Sequence, residues 1–219
     1  KYTGLADSVR SAGEREGEVI HDGGSVDTNP AYSPDGTQVA FLNNGSSDYG
    51  SLTQLRVLDL ETGKIRTVAD GRKYGKYVDN RLSWTPDGTK LVYTKTPGGR
   101  WDIFTYDLVR GKERRLTVGL RGRDPAVSPD GKQVAFVGNG DGTNNLGIVS
   151  INGTKIRYLT NNNDGTQYYS PRWSPDGSKI LFSVFRGEDR DIAVIRADAT
   201  PLPSEIERKR NKKKADEAS

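Results

Sequence analysis

The side chains that could carry out covalent or acid–base chemistry are few in this sequence. It contains a single histidine, His21, and no cysteine. A Ser-His-Asp triad would have to use His21, which the strand pattern places in an edge strand beside Asp22, and cysteine nucleophiles and zinc–thiolate sites are excluded. The Gly-x-Ser-x-Gly sequence of the α/β-hydrolase nucleophile is also absent. We therefore predict that the chain is not an enzyme and has neither a metal site nor a cofactor.

Four aspartates recur in the same local sequence, and together they could be mistaken for an acidic catalytic set. Each follows a proline and precedes a glycine, at Asp35, Asp87, Asp130 and Asp176. A turn favours a short polar side chain at this position, so we predict a structural role for all four. Residues 139–145 and 161–165 supply oxygen ligands of the kind that calcium prefers. They lack the spaced acidic residues and distal glutamate of an EF-hand loop, and we interpret them as turns.

The aspartates belong to a motif that occurs four times, as Ser33-Pro34-Asp35-Gly36, Thr85-Pro86-Asp87-Gly88, Ser128-Pro129-Asp130-Gly131 and Ser174-Pro175-Asp176-Gly177. The copies are roughly 40–50 residues apart, which is the length of a four-stranded β-propeller blade. The residue types fit a type I β-turn, in which proline fixes φ at the second position. An aliphatic triplet closed by an aromatic follows each turn, as in Val134-Ala135-Phe136. We therefore predict an all-β fold, a β-propeller with one blade per repeat.

The strands of each blade can be assigned from the turn outward. A short stretch before the motif gives the innermost strand, the triplet gives the second, and two more strands follow. The fourth blade lacks its last strand, because Pro201 and Pro203 cannot donate hydrogen bonds to a β-ladder. Residues 18–22 align with the fourth strand of a blade. They would close the ring within this chain if they pair with the last blade; in the other interpretation, the four blades are part of a larger ring.

This pattern of Ser-Pro-Asp-Gly turn, aliphatic triplet with an aromatic, and later Arg-Leu-Thr resembles the WD40-like PD40 repeats of TolB-type propellers. The resemblance covers about residues 18–198. It implies a propeller scaffold and a location in the bacterial periplasm or cell envelope. Similar propellers gate substrates in prolyl-oligopeptidase-like and tricorn-like proteases, so function does not follow from the fold. TolB-type rings usually have six blades and a separate N-terminal domain, whereas four repeats are found here.

The repeats divide the chain into three parts. Residues 1–17 form an N-terminal extension, residues 18–198 the propeller repeats, and residues 199–219 a charged tail that contains prolines. The predicted blades comprise about residues 26–70, 76–118, 122–161 and 167–198.

The loops between second and third strands, and those that link blades, lie on one face of a propeller around the channel mouth. Recognition usually takes place on such loops. In this chain they carry cations and an indole, and the candidate binding residues are Arg81, Arg100, Trp101, Arg121, Arg123 and Arg186. Arginine and aromatic side chains are frequent anchors of protein interfaces, which favours a protein-docking surface. The other interpretation of these residues is a solvated, charged rim.

The C-terminal tail contains six basic residues within 208–214. Because no aromatic residues are interleaved for base stacking, we expect no nucleic-acid partner, whereas contact with an anionic surface fits this charge. We predict a non-catalytic scaffold that binds protein partners, an accessory subunit of a bacterial cell-envelope complex that is membrane-associated. The alternative is the gating propeller of a larger serine-peptidase-like or tricorn-like hydrolase whose catalytic domain is absent from this chain.

Overall fold

A computed structural model of the chain describes residues 20–21, 26–44, 53–70, 78–96, 99–140 and 142–200. The first sheet contains β1 (Val26–Tyr32), β2 (Gln38–Asn44), β3 (Thr53–Asp59) and β4 (Ile65–Asp70). The second contains β5 (Val78–Trp84), β6 (Lys90–Lys95), β7 (Asp102–Asp107) and β8 (Lys112–Arg115). The third contains β9 (Arg123–Val127), β10 (Gln133–Gly138), β11 (Asn145–Ser150) and β12 (Ile156–Tyr158). The last contains β13 (Gln167–Trp173), β14 (Lys179–Arg186) and β15 (Asp189–Arg196).

Each repeat forms one antiparallel sheet in which strands follow one another in chain order. The all-β propeller prediction is confirmed, because every Ser/Thr-Pro-Asp-Gly motif joins the first two strands of a sheet. No helix long and apolar enough to cross a membrane occurs within the described residues.

The turn aspartates hold these hairpins together. In the third sheet the Ser128 hydroxyl donates to Asp130 Oδ1 at 2.6 Å, and the backbone N–H of Lys132 donates to the same oxygen at 3.0 Å. The N–H of Gly131 closes the turn on the carbonyl of Ser128 at 2.9 Å, with the glycine at φ +71°. Equivalent bonds form at Asp35, Asp87 and Asp176. The four aspartates therefore have the structural role that the sequence predicts.

We expect these turns to make the fold acid-sensitive over a defined range. The Ser174 hydroxyl, with help from Ser178, lowers the pKa of Asp176 to about 2. Hydroxyl donors at the equivalent positions also lower the pKa values of Asp35, Asp87 and Asp130. Because each folded-state pKa lies below the value of about 3.9 in an unfolded chain, this stabilisation is complete above about pH 4 and is lost as the pH falls toward 2.

The measurement is the melting temperature as a function of pH, for wild type and for Asp176→Asn. The wild-type melting temperature should fall within that acidic window, and Asp176→Asn should fall less steeply. An unchanged slope in the variant would contradict this origin of acid sensitivity.

Neighbouring sheets pack face to face through three apolar clusters. We call the face toward the next sheet the leading face and the opposite one the trailing face. On the leading face of the third sheet, Ala135 and Ile148 pack against Ile180 and Phe182 on the trailing face of the last. The first and second sheets, and the second and third, pack in the same way. Each aliphatic triplet therefore supplies both faces of its sheet, because successive strand residues point to opposite sides.

Three smaller contacts recur at the same junctions. The motif glycine of each later sheet lies beside the motif proline of the sheet before. A Cβ atom built on the glycine would lie 3.9 Å from Pro34 at Gly88, 3.2 Å from Pro86 at Gly131, and 3.8 Å from Pro129 at Gly177. The indoles of Trp84 and Trp173 donate to carbonyls of the preceding sheet at 3.0 and 2.9 Å. Arginines near the outer edge of the first three sheets donate to backbone carbonyls of the next: Arg66 to Leu108, Arg114 to Asn152, and Arg157 to Ala197 and Ala199.

The four sheets form an open arc within the described residues. Gly36 of the first sheet has no atom within 4 Å of its Cβ position, so it lacks the proline contact made by the other three motif glycines. On the leading face, Ala40, Val92 and Ala135 are fully buried, whereas the equivalent Leu181 of the last sheet is 48% exposed. Ile192 and Val194, which lie beside Leu181 on that face, are 70% and 60% exposed. The last sheet thus has no neighbour on its leading side in this part of the chain.

The predicted closing strand, residues 18–22, falls mostly outside the described residues. Ile20 and His21 are described and lie outside any strand. The His21 ring lies 5.6 Å from that of Phe41 in the first sheet, and its Nε2 atom lies 3.6 Å from Asp27 Oδ2. The N-terminal extension 1–17 and tail residues 201–219 are outside the described residues, so the predicted domain boundaries there stay predictions.

Candidate functional site

The innermost strands β5, β9 and β13 meet at the centre of the arc, and each is bulged. Register shifts interrupt the pairing of all three with their second strands. Asp124 and Ser170 lie at the same position of their repeats, each before a proline, and both adopt left-handed backbone angles, φ +56° and +54°. Bulges of this kind redirect side chains.

Asp124 links the second, third and last sheets at this point. Its buried carboxylate lies 3.3 Å from Arg81 Nε and 3.3 Å from Arg123 Nη1. The backbone N–H of Ser170 donates to it at 3.1 Å, and Arg81 also donates to the Ser170 hydroxyl. One buried carboxylate between two guanidinium groups therefore holds three blades in register.

Arg123 is fixed from several sides. Its Nη2 atom donates to Asn144 Oδ1 and to the carbonyl of Tyr168, both at 3.2 Å. Its guanidinium stacks on the Tyr169 ring, 4.5 Å from the centroid. Asn144 in turn donates to Gln167. This side chain is a rigid part of the wall and not a mobile surface cation.

These groups form one side of a cavity of about 680 Å³. Its lining comes from the second, third and last sheets and comprises Gly99, Arg100, Trp101, Arg121, Arg123, Asn139, Asn144, Gln167 and Tyr169. We call it the mouth cavity, because the loops around it are those predicted to surround the channel mouth. Arg100, Trp101 and Arg121 are exposed there.

Four of the six candidate residues predicted from the sequence, Arg100, Trp101, Arg121 and Arg123, line this one cavity. Arg81 adjoins it through Asp124. Arg186 is not among the lining residues; it ends β14 and is exposed. Hydrogen bonds from Thr166 lower the pKa of Asp164, and the Arg186 charge lowers it further. Binding by these residues stays a prediction, but the structure brings most of them together.

Several lining residues were missed by sequence reasoning. Asn139 and Asn144 belong to a loop interpreted as a plain turn, and Gln167 and Tyr169 begin an inner strand that was assigned too short. A signal for the neighbouring Ser170 was present, because Asn29-Pro30, Asp124-Pro125 and Ser170-Pro171 occupy the same repeat position. Aligning the repeats upstream of the turn would have identified this central ring of polar residues.

In the loops considered as calcium sites, side-chain oxygens already accept hydrogen bonds from nearby residues. Asn145 Oδ1 accepts from the Thr160 hydroxyl at 2.9 Å and from the Asn162 N–H at 2.6 Å. Asp164 Oδ1 accepts from the Thr166 N–H and hydroxyl at 3.0 and 2.6 Å. Across the residues that the structure describes, no three His, Cys, Asp or Glu side chains are grouped as metal ligands. The turn interpretation fits these contacts.

A buried polar cluster in the second sheet lies apart from the cavity. Lys95 Nζ lies 2.9 Å from both carboxylate oxygens of Glu113, and the Tyr93 hydroxyl donates to the same carboxylate. Burial raises the pKa of Tyr93, and the Glu113 charge raises it further. These bonds tie β6 to the outer strand β8, which is a structural role.

Comparison with known proteins agrees with the fold. The family described as TolB beta propeller domain matches residues 9–168, which is most of the chain. The chain belongs to this family.

The relatives of this TolB-type propeller carry names that state different functions. The chain is 25% identical over 198 residues to the Tol-Pal system protein TolB of Francisella tularensis, covering 68% of this chain and 44% of that protein. It is 35% identical over 117 residues to the uncharacterized peptidase YuxL of Bacillus subtilis, covering 50% of this chain and 18% of that protein. The crystal structure of TolB from Acinetobacter baumannii superposes with a TM-score of 0.64 at 20% identity, covering 83% of this chain and 44% of that one. The chain thus spans less than half of each of these proteins.

Proposed function

We propose that this propeller is a non-catalytic, protein-binding scaffold, an accessory subunit of a bacterial cell-envelope complex. The observation that carries the proposal is the convergence of Arg100, Trp101, Arg121 and Arg123 on one open cavity. A rigid wall with exposed guanidinium and indole groups is typical of the anchor points of protein interfaces. The similarity to a Tol-Pal system protein supports a periplasmic or envelope location.

The charge of the mouth favours a partner with carboxylates. The guanidinium groups of Arg100, Arg121 and Arg123 line the cavity. The Asp124 carboxylate pairs with Arg123 and with the adjoining Arg81, and it offsets only part of this positive charge. Such a surface attracts an acidic partner over a distance of about 10 Å at moderate salt and sets its orientation.

The test is partner capture from native membranes with wild type, Arg100→Glu and a matched charge reversal, Lys132→Glu. Lys132 is exposed and precedes β10, at the end opposite to Asn139. We expect Arg100→Glu to lower capture at least about tenfold, since both attraction and hydrogen bonding are lost, and Lys132→Glu to leave it unchanged. Capture that does not distinguish the two variants, or no stable partner at all, would contradict docking at the mouth.

A second function is supported by the similarity to a protein named as a peptidase, of which this chain covers only 18%. In that case the propeller gates access to a hydrolase domain on the same polypeptide. Intact-mass measurement of the native gene product decides between the two proposals. A mass that includes a hydrolase domain favours gating, whereas a product that ends near Ser219 favours the scaffold.

A further inference from the structure

We propose that the leading face of the last sheet binds the surface of a membrane that contains anionic lipids. The proposal goes beyond protein docking at the mouth, because it concerns a different surface at the end of the arc. This surface combines an exposed apolar centre with a cationic border. The basic tail follows one of its strands, β15, in the chain.

The apolar centre consists of Leu181 on β14 and of Ile192 and Val194 on β15. Leu181 lies directly opposite Val194, and Ile192 points to the same side two residues earlier. Their exposed fractions are 48%, 70% and 60%. The equivalent pair in the third sheet, Ala135 and Ile148, is covered by the next sheet. An exposed apolar patch with a polar border is typical of a protein or membrane interaction site.

Cationic side chains border the apolar centre at both ends. Alternation along β15 places Arg190 and Arg196 on the leading side, together with the two aliphatic residues. It places Asp189 and Asp191 on the opposite side. Lys179 of β14 pairs with Arg196 across the ladder, so its side chain also lies on the leading side. The strand pattern thus sorts the charges of β15 by sign, with the cations on the exposed face.

One of these three cations is neutralised by a carboxylate and two are not. Asp198 forms an exposed ion pair with Arg196, with 2.7 Å between Oδ2 and Nη2. Lys179 and Arg190 form no ion pair with any residue that the structure describes. The Arg190 guanidinium lies over the ring of Phe185, 4.6 Å from its centroid. Two cations on this face are therefore available to anionic headgroups.

The shape of the face favours a lipid surface over a peptide. It is the open side of a sheet, and none of its apolar residues lines the mouth cavity or the cavity of about 500 Å³ between the third and last sheets. A peptide would find no groove here to hold it. Aliphatic side chains within a cationic border match the boundary between hydrocarbon and charged headgroups in a bilayer.

The basic tail adds positive charge at the same end of the chain. Residues 208–214 contain six basic residues. Clusters of about four to eight lysines and arginines beside an apolar anchor are typical of segments that bind anionic lipids. Stable attachment to a membrane usually needs two weak signals together. The apolar face and the tail would supply one each.

The experiment measures co-sedimentation of the chain Lys1–Ser219 with vesicles of phosphatidylglycerol and phosphatidylcholine. Vesicles of pure phosphatidylcholine are the matched control. We expect binding to the anionic vesicles to be at least about tenfold tighter, because each cation near the surface adds to the attraction. Binding should weaken steeply as salt is added, since exposed charges are screened.

A fluorescent label reports whether the sheet face itself touches the lipid. The chain contains no cysteine, so Val194→Cys takes a nitrobenzoxadiazole label at a single position. Its emission should shift to the blue on anionic vesicles. Val109→Cys, at a valine that is 80% exposed in the turn after β7, is the matched control and should not shift.

Variants separate the two parts of the surface. Ile192→Ser with Val194→Ser should weaken vesicle binding about tenfold, because apolar area is lost from the contact. Lys179→Gln with Arg190→Gln should weaken it about tenfold through the loss of charge. Lys132→Gln, on the third sheet, should have no effect. All five side chains are exposed, and urea unfolding checks that each variant is folded.

Three results would overturn the proposal: equal binding to neutral and anionic vesicles, no blue shift of the label at position 194, or full binding by both double variants. Binding of soluble polyglutamate without binding of vesicles would also overturn it and would assign the face to an acidic protein. Because the vesicles contain no protein, failure here leaves docking at the mouth intact, and a failure of partner capture leaves lipid binding intact.

Discussion

Ile148→Lys is expected to destabilise the fold strongly, while Val194→Lys at the equivalent position of the last sheet is expected to leave stability almost unchanged. Ile148 and Val194 lie on the leading faces of the third and last sheets, opposite Ala135 and Leu181 on their second strands. Ile148 is 3% exposed and packs against the last sheet, whereas Val194 is 60% exposed. The two substitutions therefore introduce the same charge at the same point of the repeat into opposite environments.

The physical reason is the cost of removing a charge from water. An unpaired ammonium group among the apolar side chains of the third junction costs at least about 4 kcal/mol, a large part of the stability of a domain of this size. At position 194 the side chain stays in water, so a change within about 0.5 kcal/mol is expected.

Urea unfolding followed by the fluorescence of Trp173, which lies at the junction of the third and last sheets, measures both variants. Ala135→Lys serves as a second buried position on the same face and should behave like Ile148→Lys. If Val194→Lys proves as harmful as Ile148→Lys, the leading face of the last sheet is covered in solution and the arc is closed there.

The second large effect is expected from Asp124→Asn at the centre of the arc. The amide keeps the shape of the side chain and can still accept from the Ser170 N–H, but it leaves Arg81 and Arg123 without their shared carboxylate. Breaking a buried ion pair on one side costs about 3–5 kcal/mol, because an uncompensated charge remains buried. Arg81 is 35% exposed, so water screens part of that cost and we expect about 3 kcal/mol.

Thermal and urea unfolding of Asp124→Asn, Arg81→Gln and the double variant test this role. In the double variant the losses should not add, because both substitutions remove the same interaction. Asp198→Asn, which removes a carboxylate from an exposed pair with Arg196, is the matched control and should leave the unfolding midpoint unchanged. A loss below about 1 kcal/mol for Asp124→Asn would mean that the centre of the arc is held by packing alone.

Much of the fold could be predicted from the sequence because its signals are local. The Ser/Thr-Pro-Asp-Gly turn depends on side-chain and backbone contacts within five residues, so its residue types alone identify the hairpin. The alternation in Val134-Ala135-Phe136 likewise fixes which residues point to each side of a strand. Pro201 and Pro203 predict that no fourth strand follows β15, but they lie outside the described residues, so this stays a prediction.

The site was predicted less completely, because its parts are far apart in the chain. Arg81 and Ser170 are separated by 89 positions, and no local pattern shows that both meet Asp124. Charge and loop position selected four residues that the structure places in the lining of one cavity. They could not reveal the Arg123–Tyr169 stack.

The sequence by itself determined the repeat, the turn chemistry and the apolar faces, because each depends on neighbouring residues. Only the tertiary structure decided which faces are covered and which cations share a cavity. Burial and electrostatic pairing depend on how whole sheets stack, and for that reason the equivalent positions Ile148 and Val194 have opposite environments.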